Sequence, residues 1–197
     1  MYIPKAFEQN DPAAMHELIR AHPFGALVVP SPSGLEVNHV PFVLHDDPAP
    51  NGTLYAHVAR GNGVWRLLDG ATEVVAIFQG FEHYISPTWY PSKQELGGKV
   101  VPTWNYTVVH AHGAARAVDD RAWLNRHLTE LVEINEGGRD PEWRISDAPA
   151  DFIEKLVGAI VGIEIPIERL EGKWKLGQNR SVGDQASVGE KLNRVRG

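Results

Sequence analysis

Aromatic, hydroxyl and amide side chains crowd into one stretch, Glu82–Gly113 (EHYISPTWYPSKQELGGKVVPTWNYTVVHAHG). Trp89-Tyr90 and Trp104 with Tyr106 bracket a loop that carries Pro87, Pro91 and Pro102. Ser86, Thr88, Ser92, Lys93 and Asn105 lie among them. A loop this long inside a compact domain is usually functional or disordered, and its aromatic content weighs against disorder. Rigid aromatic faces with a few polar groups suit a flat ligand with a polar edge. A hydrophobic loop that caps the core accounts for the same composition equally well.

Two smaller sets add polar chemistry. In His57-Val58-Ala59-Arg60-Gly61-Asn62 an arginine closes a strand just before a short helix. Free backbone N–H groups beside a guanidinium make a good phosphate site. Lys175, Gln178, Asn179, Arg180 and Ser181 form a dense set of donors. Such donors suit a ring edge on which negative charge grows during reduction, as on an isoalloxazine.

Metal chemistry has a thinner basis. His110 and His112 share a face of a predicted strand, and His39, His45, His57 and His83 lie on other strands or loop ends. HExxH and a helical HxxxH are absent, so hydrogen-bonded structural histidines are expected and no metal. GxSxG, cysteine, GxGxxG and the Walker A loop are absent too. No helix-turn-helix pattern precedes the predicted 120–134 helix.

The elements that must position these residues can be read from turn and cap chemistry. Asp11-Pro12 starts a helix with Met15, Leu18 and Ile19 on one face, and Pro23 stops it. Gly25–Pro30 and Leu35–Leu44 read as strands joined by the turn Ser31–Gly34, with Pro41 marking an edge or bulge. A polar turn over Asp46–Gly52 precedes strand Thr53–Val58, a short helix Val64–Leu68 and a buried strand Glu73–Gln79. Trp104–Val118 is a long strand. Asp119 or Asp120 then caps a helix through Ile134 with a core stripe of Trp123, Leu124, Leu128, Leu131 and Val132. Asp147–Gly158 reads as a helix capped by Asp147. In the next strand Val161, Ile163, Ile165 and Ile167 share one face.

Composition is that of an ordinary globular chain of 197 residues, with 43% hydrophobic and 22% charged residues. The absence of cysteine excludes disulfides and thiolate chemistry. No apolar run approaches the ~18–20 residues of a membrane span, and the start lacks a signal-peptide core, so a cytoplasmic protein is expected. A net charge of -6 weighs against broad nucleic-acid binding. Many short strands with inserted helices suggest a mainly β fold with α additions, a β-barrel. Residues 1–181 read as a single domain with helical insertions, and 182–197 as a frayed polar C-terminal tail, with Val188, Leu192 and Val195 offering the pattern of a weak helix.

The succession MYIPKAF, HPFGALV, NHVPF, LYAHVAR, IFQG, YISPTWYPSK, VPTWNYTVVHAHG, VGIEI and RLEGKWKLGQNRS resembles the PaiB family, from Met1 to about Ser181. That family is described as FMN-binding negative transcriptional regulators. The resemblance implies a homodimeric FMN-binding split β-barrel, similar to pyridoxamine 5′-phosphate oxidase, with two flavin sites in the dimer interface. It implies that Asn38, His39 and Val40, within Asn38–Val43, lie along the flavin ring. Tyr55, His57 and Arg60 would sit near the ribityl phosphate. Trp104, Asn105 and Tyr106 would flank the ring or substrate space, with Ser86, Trp89 and Lys93 of the Ser86–Lys93 loop. Lys175, Gln178 and Arg180 would reach in from late in the chain. The phosphate loop reads ARGN where the oxidases carry Ser-Arg-Lys, one cation fewer.

Three functions fit these expectations: an FMN-binding homodimer with oxidoreductase activity, a regulator that uses the barrel as a ligand sensor, and a haem-handling split barrel. No catalytic residue is assigned. The acidic balance makes an indirect regulatory effect more natural than direct operator binding.

Overall fold

Asp11 and Pro12 start helix α1 (Pro12–Ala21) as their chemistry dictates: the Asp11 carboxylate accepts from the Ala13 N–H at 3.0 Å. The structure, a computed structural model, describes residues 1–46 and 49–196. Residues 47–48 of the turn expected over Asp46–Gly52, and Gly197, lie outside the described residues. The strands are β1 (Glu8–Gln9), β2 (Phe24–Ser31), β3 (Gly34–Pro41), β4 (Val43–His45), β5 (Thr53–Ala59), β6 (Asp69–Ile85), β7 (Thr103–Val118), β8 (Ile160–Pro166) and β9 (Arg169–Lys175). Helices α2 (Arg121–Glu136) and α3 (Ala150–Gly158) lie between β7 and β8, and α4 (Val182–Arg196) follows β9. The mainly β character with α additions is therefore as expected.

The strands pair antiparallel in the order β3-β2-β6-β7-β8-β5-β4. The two ends of that order, β3 and β4, are neighbours in the chain, so the sheet curls back on itself through Phe42. Strand β7 forks: residues 106–112 pair with β9 and residues 116–118 with β8. Gly113 stands at the fork, where an added Cβ would lie 2.1 Å from the Pro166 carbonyl oxygen. Strand alternation sends Leu27, Val29, Val74, Phe78, Val109 and Ile163 into the core, all fully buried. Met15, Leu18 and Ile19 of α1 join that core.

Four local expectations need correction. Helix α2 buries Leu124 and His127, while Trp123, Leu128, Leu131 and Val132 stay only half-buried. It lies on a wall of the barrel, so one narrow row suffices to dock it. Asp147 caps no long helix; its carboxylate accepts from the Arg144 N–H at 2.9 Å, and Pro149 precedes α3. Residues 169–175, for which no strand is expected from the sequence, form β9, paired antiparallel with residues 106–112 of β7. The polar segment 182–197 is helical over Val182–Arg196 and anchored through buried Asp184 and Val188.

Candidate functional site

The outward residues of the sheet form a second face. Val37, Val28, Val75 and His112 stand in register across β3, β2, β6 and β7, followed by Arg169 on β9. The next row is His39, Ala26, Ile77, His110 and Glu171. Leu35 and Val37 are 70% and 53% exposed here, and Phe24 is exposed beside them. A contiguous apolar sheet face turned to solvent marks an interaction surface.

An irregularity in β6 between Gln79 and Glu82 resets its alternation, so Glu82 and Tyr84 continue the outer face. There Tyr84 pairs across the ladder with Trp104, their rings edge to face at 5.9 Å. Gln79, Glu82, Trp104, Tyr106 and Val108 line an open recess of about 410 Å³. Trp104 is 53% exposed. Lys175 sits beside it, its ammonium donating to Thr103 Oγ1 at 2.6 Å and to the Trp104 carbonyl. Burial pulls the Lys175 pKa down; Tyr106 opposes that, and Lys173 and Arg180 add to it. The Lys173 ammonium lies 5.4 Å from the Tyr106 ring. The recess thus offers an aromatic wall, with the Lys175 ammonium held beside it on Thr103 and Trp104 and the Lys173 ammonium held on the Tyr2 carbonyl.

The remaining late-chain residues hold the turn after β9 and the loop beside it. Gln178 closes the turn after β9: its amide donates to the Trp174 carbonyl at 2.5 Å, and its Oε1 accepts from the Leu176 N–H at 2.8 Å. The Arg180 guanidinium stacks 4.7 Å over Tyr90. Asn105, buried, lines with Arg180 and Gly177 a niche of about 10 Å³, room for about one water. Ser86 caps the turn Pro87–Trp89 by accepting from the Thr88 N–H at 3.2 Å, and Trp89 meets His83 edge to face at 5.7 Å. Lys93 is exposed at the end of the next turn.

The other expected flavin residues sit elsewhere in the chain's own fold. Asn38 accepts from Asn62 Nδ2 at 2.6 Å, which fixes the turn after β5. His39 stacks on Phe24 at 6.2 Å, on the outer face. The Val40 side chain is buried in the core. Tyr55 and His57 lie under α2, Tyr55 against Trp123 at 5.1 Å and His57 Nδ1 3.1 Å from His127 Nε2. Arg60 grips Asp119 through two nitrogens at 2.6 and 2.9 Å and also donates to the carbonyls of Gly158 and Ile160, each at 3.0 Å. That carboxylate takes the two-point geometry expected for a phosphate. The Asp119 hydrogen bond raises the Arg60 pKa, and the same bond lowers that of Asp119.

Sequence reasoning missed His127, which is 2% exposed and has no hydrogen-bond partner on Nδ1 among the described residues. Burial, with His57 and His45 nearby, depresses its pKa to about 4. Its signal was position: residue 127 falls three after Leu124 and four after Trp123, on the helix face turned to the barrel. Asp119 and Asp184 were missed as partners, because their contacts span 59 and 92 residues.

Comparison with known proteins supplies the frame for this geometry. A family model described as "Putative FMN-binding domain" matches residues 1–169. The Bacillus subtilis protein named protease synthase and sporulation protein PAI 2 is 31% identical over 194 residues, covering 98% of this chain and 89% of its own. The flavocytochrome Anf3 of Azotobacter vinelandii has the same fold, with a TM-score of 0.65 at 14% identity over 88% of this chain and 72% of its own. A FAD- and haem-binding protein of Mycobacterium smegmatis also reaches 0.65, at 14% identity over 92% of this chain and 80% of its own.

Proposed function

This chain belongs to the FMN-binding domain family, as a PaiB-type split barrel, and we propose that it acts as a homodimer with FMN held between two copies. One observation carries the paired form. The expected flavin residues fall into two groups on separate elements of one protomer, and an apolar outer sheet face lies exposed between charged borders. A partner packed on that face buries the apolar rows and lets one copy supply the Trp104 recess and the other the β3 side. In this reading residues 1–181 form the barrel unit and 182–197 its appendage.

The residues present fit the ring end of FMN. Trp104 and Tyr106 give aromatic surface, and Lys173 and Lys175 give positive charge for the edge that gains electrons. Bound FMN supplies reversible one- or two-electron chemistry. The phosphate end fits less directly, since Arg60 must leave Asp119 to serve it.

The regulatory reading follows from the Bacillus relative's name. In it, this protein is a negative transcriptional regulator whose flavin or ligand state governs a partner, without reading DNA itself. The net charge of -6 and the acidic border near Glu73, Glu82 and Glu171 disfavour a phosphate backbone.

The test is to purify the full chain, record its absorbance, identify any released ligand by mass spectrometry and measure mass by light scattering. Flavin in a dimer supports the reading. Trp104→Ala should empty the site, while Trp123→Ala should keep flavin in proportion to folded protein. A monomer that takes up no flavin overturns the proposal, and a Soret band in place of flavin absorbance turns it to haem.

A further inference from the structure

We propose that His110, His112 and Glu171 form a divalent-cation site of two imidazoles and one carboxylate, suited to zinc or another late first-row ion. The inference does not depend on flavin. Alternation along β7 puts both imidazoles on the outer face, and the antiparallel register sets Glu171 of β9 directly opposite His110. One ligand atom from each of the three residues lies within 4.8 Å of the others. His112 Nε2 and Glu171 Oε2 are 3.2 Å apart. Bonds of ~2.0–2.1 Å in a tetrahedral zinc site put neighbouring ligand atoms roughly 3.3 Å apart, so this pair already spans one edge of such a site. Rotation of the His110 ring closes the remainder.

The surroundings suit the ion. Glu73 Oε1 lies 3.5 Å from His112 Nδ1, the nitrogen that would face away from a metal on Nε2. A carboxylate behind a ligating imidazole fixes its tautomer and raises its basicity. That same Nδ1 is buried and, among the described residues, has no hydrogen-bond partner. Positive charge is already drawn to the place: Arg169 sits 2.6 Å from Glu171 Oε1 and 3.6 Å from Glu73, and the Met1 amine 2.9 Å from Glu171 Oε2. A cation entering the site displaces the amine from Oε2 and leaves Arg169 on Oε1. Two nitrogens and one oxygen leave part of a tetrahedral shell unfilled by these three residues.

The test uses the full-length, tag-free chain, stripped of metal and flavin, titrated calorimetrically with Zn²⁺ and spectroscopically with Co²⁺. The expected result is one saturable ion per chain and Co²⁺ bands of tetrahedral intensity. His110→Ala, His112→Ala and Glu171→Gln should each weaken binding at least tenfold, and Glu73→Gln less. His22→Ala, outside the site, should leave binding unchanged. If an alanine variant fails to fold by circular dichroism, His110→Gln and His112→Gln keep the side-chain bulk and serve in its place. Absence of saturable binding, or binding that survives loss of His110 and His112, overturns the site. Because flavin is removed throughout, failure of the flavin reading leaves these outcomes intact.

Discussion

Arg60 and Asp119 close the end of the β5–β8 pairing as a two-point ion pair, with nitrogen–oxygen distances of 2.6 and 2.9 Å. The guanidinium also holds the carbonyls of Gly158 and Ile160, which ties the β5 turn to the start of β8. Arg60→Ala is therefore expected to weaken FMN and riboflavin by the same factor, through loosening of the turn. Titrating both flavins into wild type and variant checks this. A loss confined to FMN would mean that the phosphate outcompetes Asp119.

His127 sets an acid limit on stability. Its folded-state pKa of about 4 lies below the ordinary value of 6.5, so the unfolded chain binds a proton first as pH falls. The resulting stability is fully present above pH ~6.5 and is lost between there and about 4, amounting to about 3 kcal/mol. His57, also lowered by burial, acts in the same direction. Denaturant midpoints at neutral pH and near pH 4.5 should show the loss, and His127→Gln should flatten it. An equal slope in that variant would assign the effect elsewhere.

The outer sheet face should respond to charge. Val75 lies between Val28 and His112 in register, in the middle of the apolar rows. Val75→Lys should convert a dimer to a folded monomer by light scattering, since an obligate interface of more than roughly 2,000 Å² tolerates no unpaired central charge. A dimer unchanged in mass and affinity would move the interface to another surface.

Gly113 is required by backbone crowding at the fork of β7. An alanine methyl would meet the Pro166 carbonyl oxygen at 2.1 Å, backbone that cannot swing aside. Gly113→Ala should cost about 1–3 kcal/mol or more, whereas Gly61→Ala, with nothing within 4 Å, should be close to neutral. Urea unfolding of the two variants separates them.

Asp184 latches α4 onto the aromatic loop. Its carboxylate accepts from the Ser92 N–H at 3.1 Å and from the Ser92 hydroxyl at 2.7 Å, and the residue is 3% exposed. Burial alone would raise its pKa, but the hydrogen bonds from Ser92, with Ser181 and the Arg180 charge, together hold it low. The latch is thus present above the ordinary carboxylate range and released only as pH falls through the lowered pKa. Asp184→Ala should cost about 1–3 kcal/mol locally and speed proteolysis between Leu176 and Val182. Unchanged cleavage rates would show that Val188 alone holds the helix.

What the sequence determined by itself were the local events. The Asp11-Pro12 helix start, the alternation of Val161, Ile163, Ile165 and Ile167, and the loop between Ile85 and Thr103 all follow from caps, period and proline, which act within a few residues. The long motifs carried the family, hence the split barrel and FMN, because they record constraints that no single element shows. Only the tertiary structure decided which partner each polar group took. Arg60 met Asp119, Asp184 met Ser92 and His110 met Glu171 across 59, 92 and 61 residues. Those meetings depend on strand order and register, and alternation fixes a residue's face without fixing which strand lies beside it. Val40 shows the same limit: its place in the pleat, fixed by strand pairing, turns its side chain into the core.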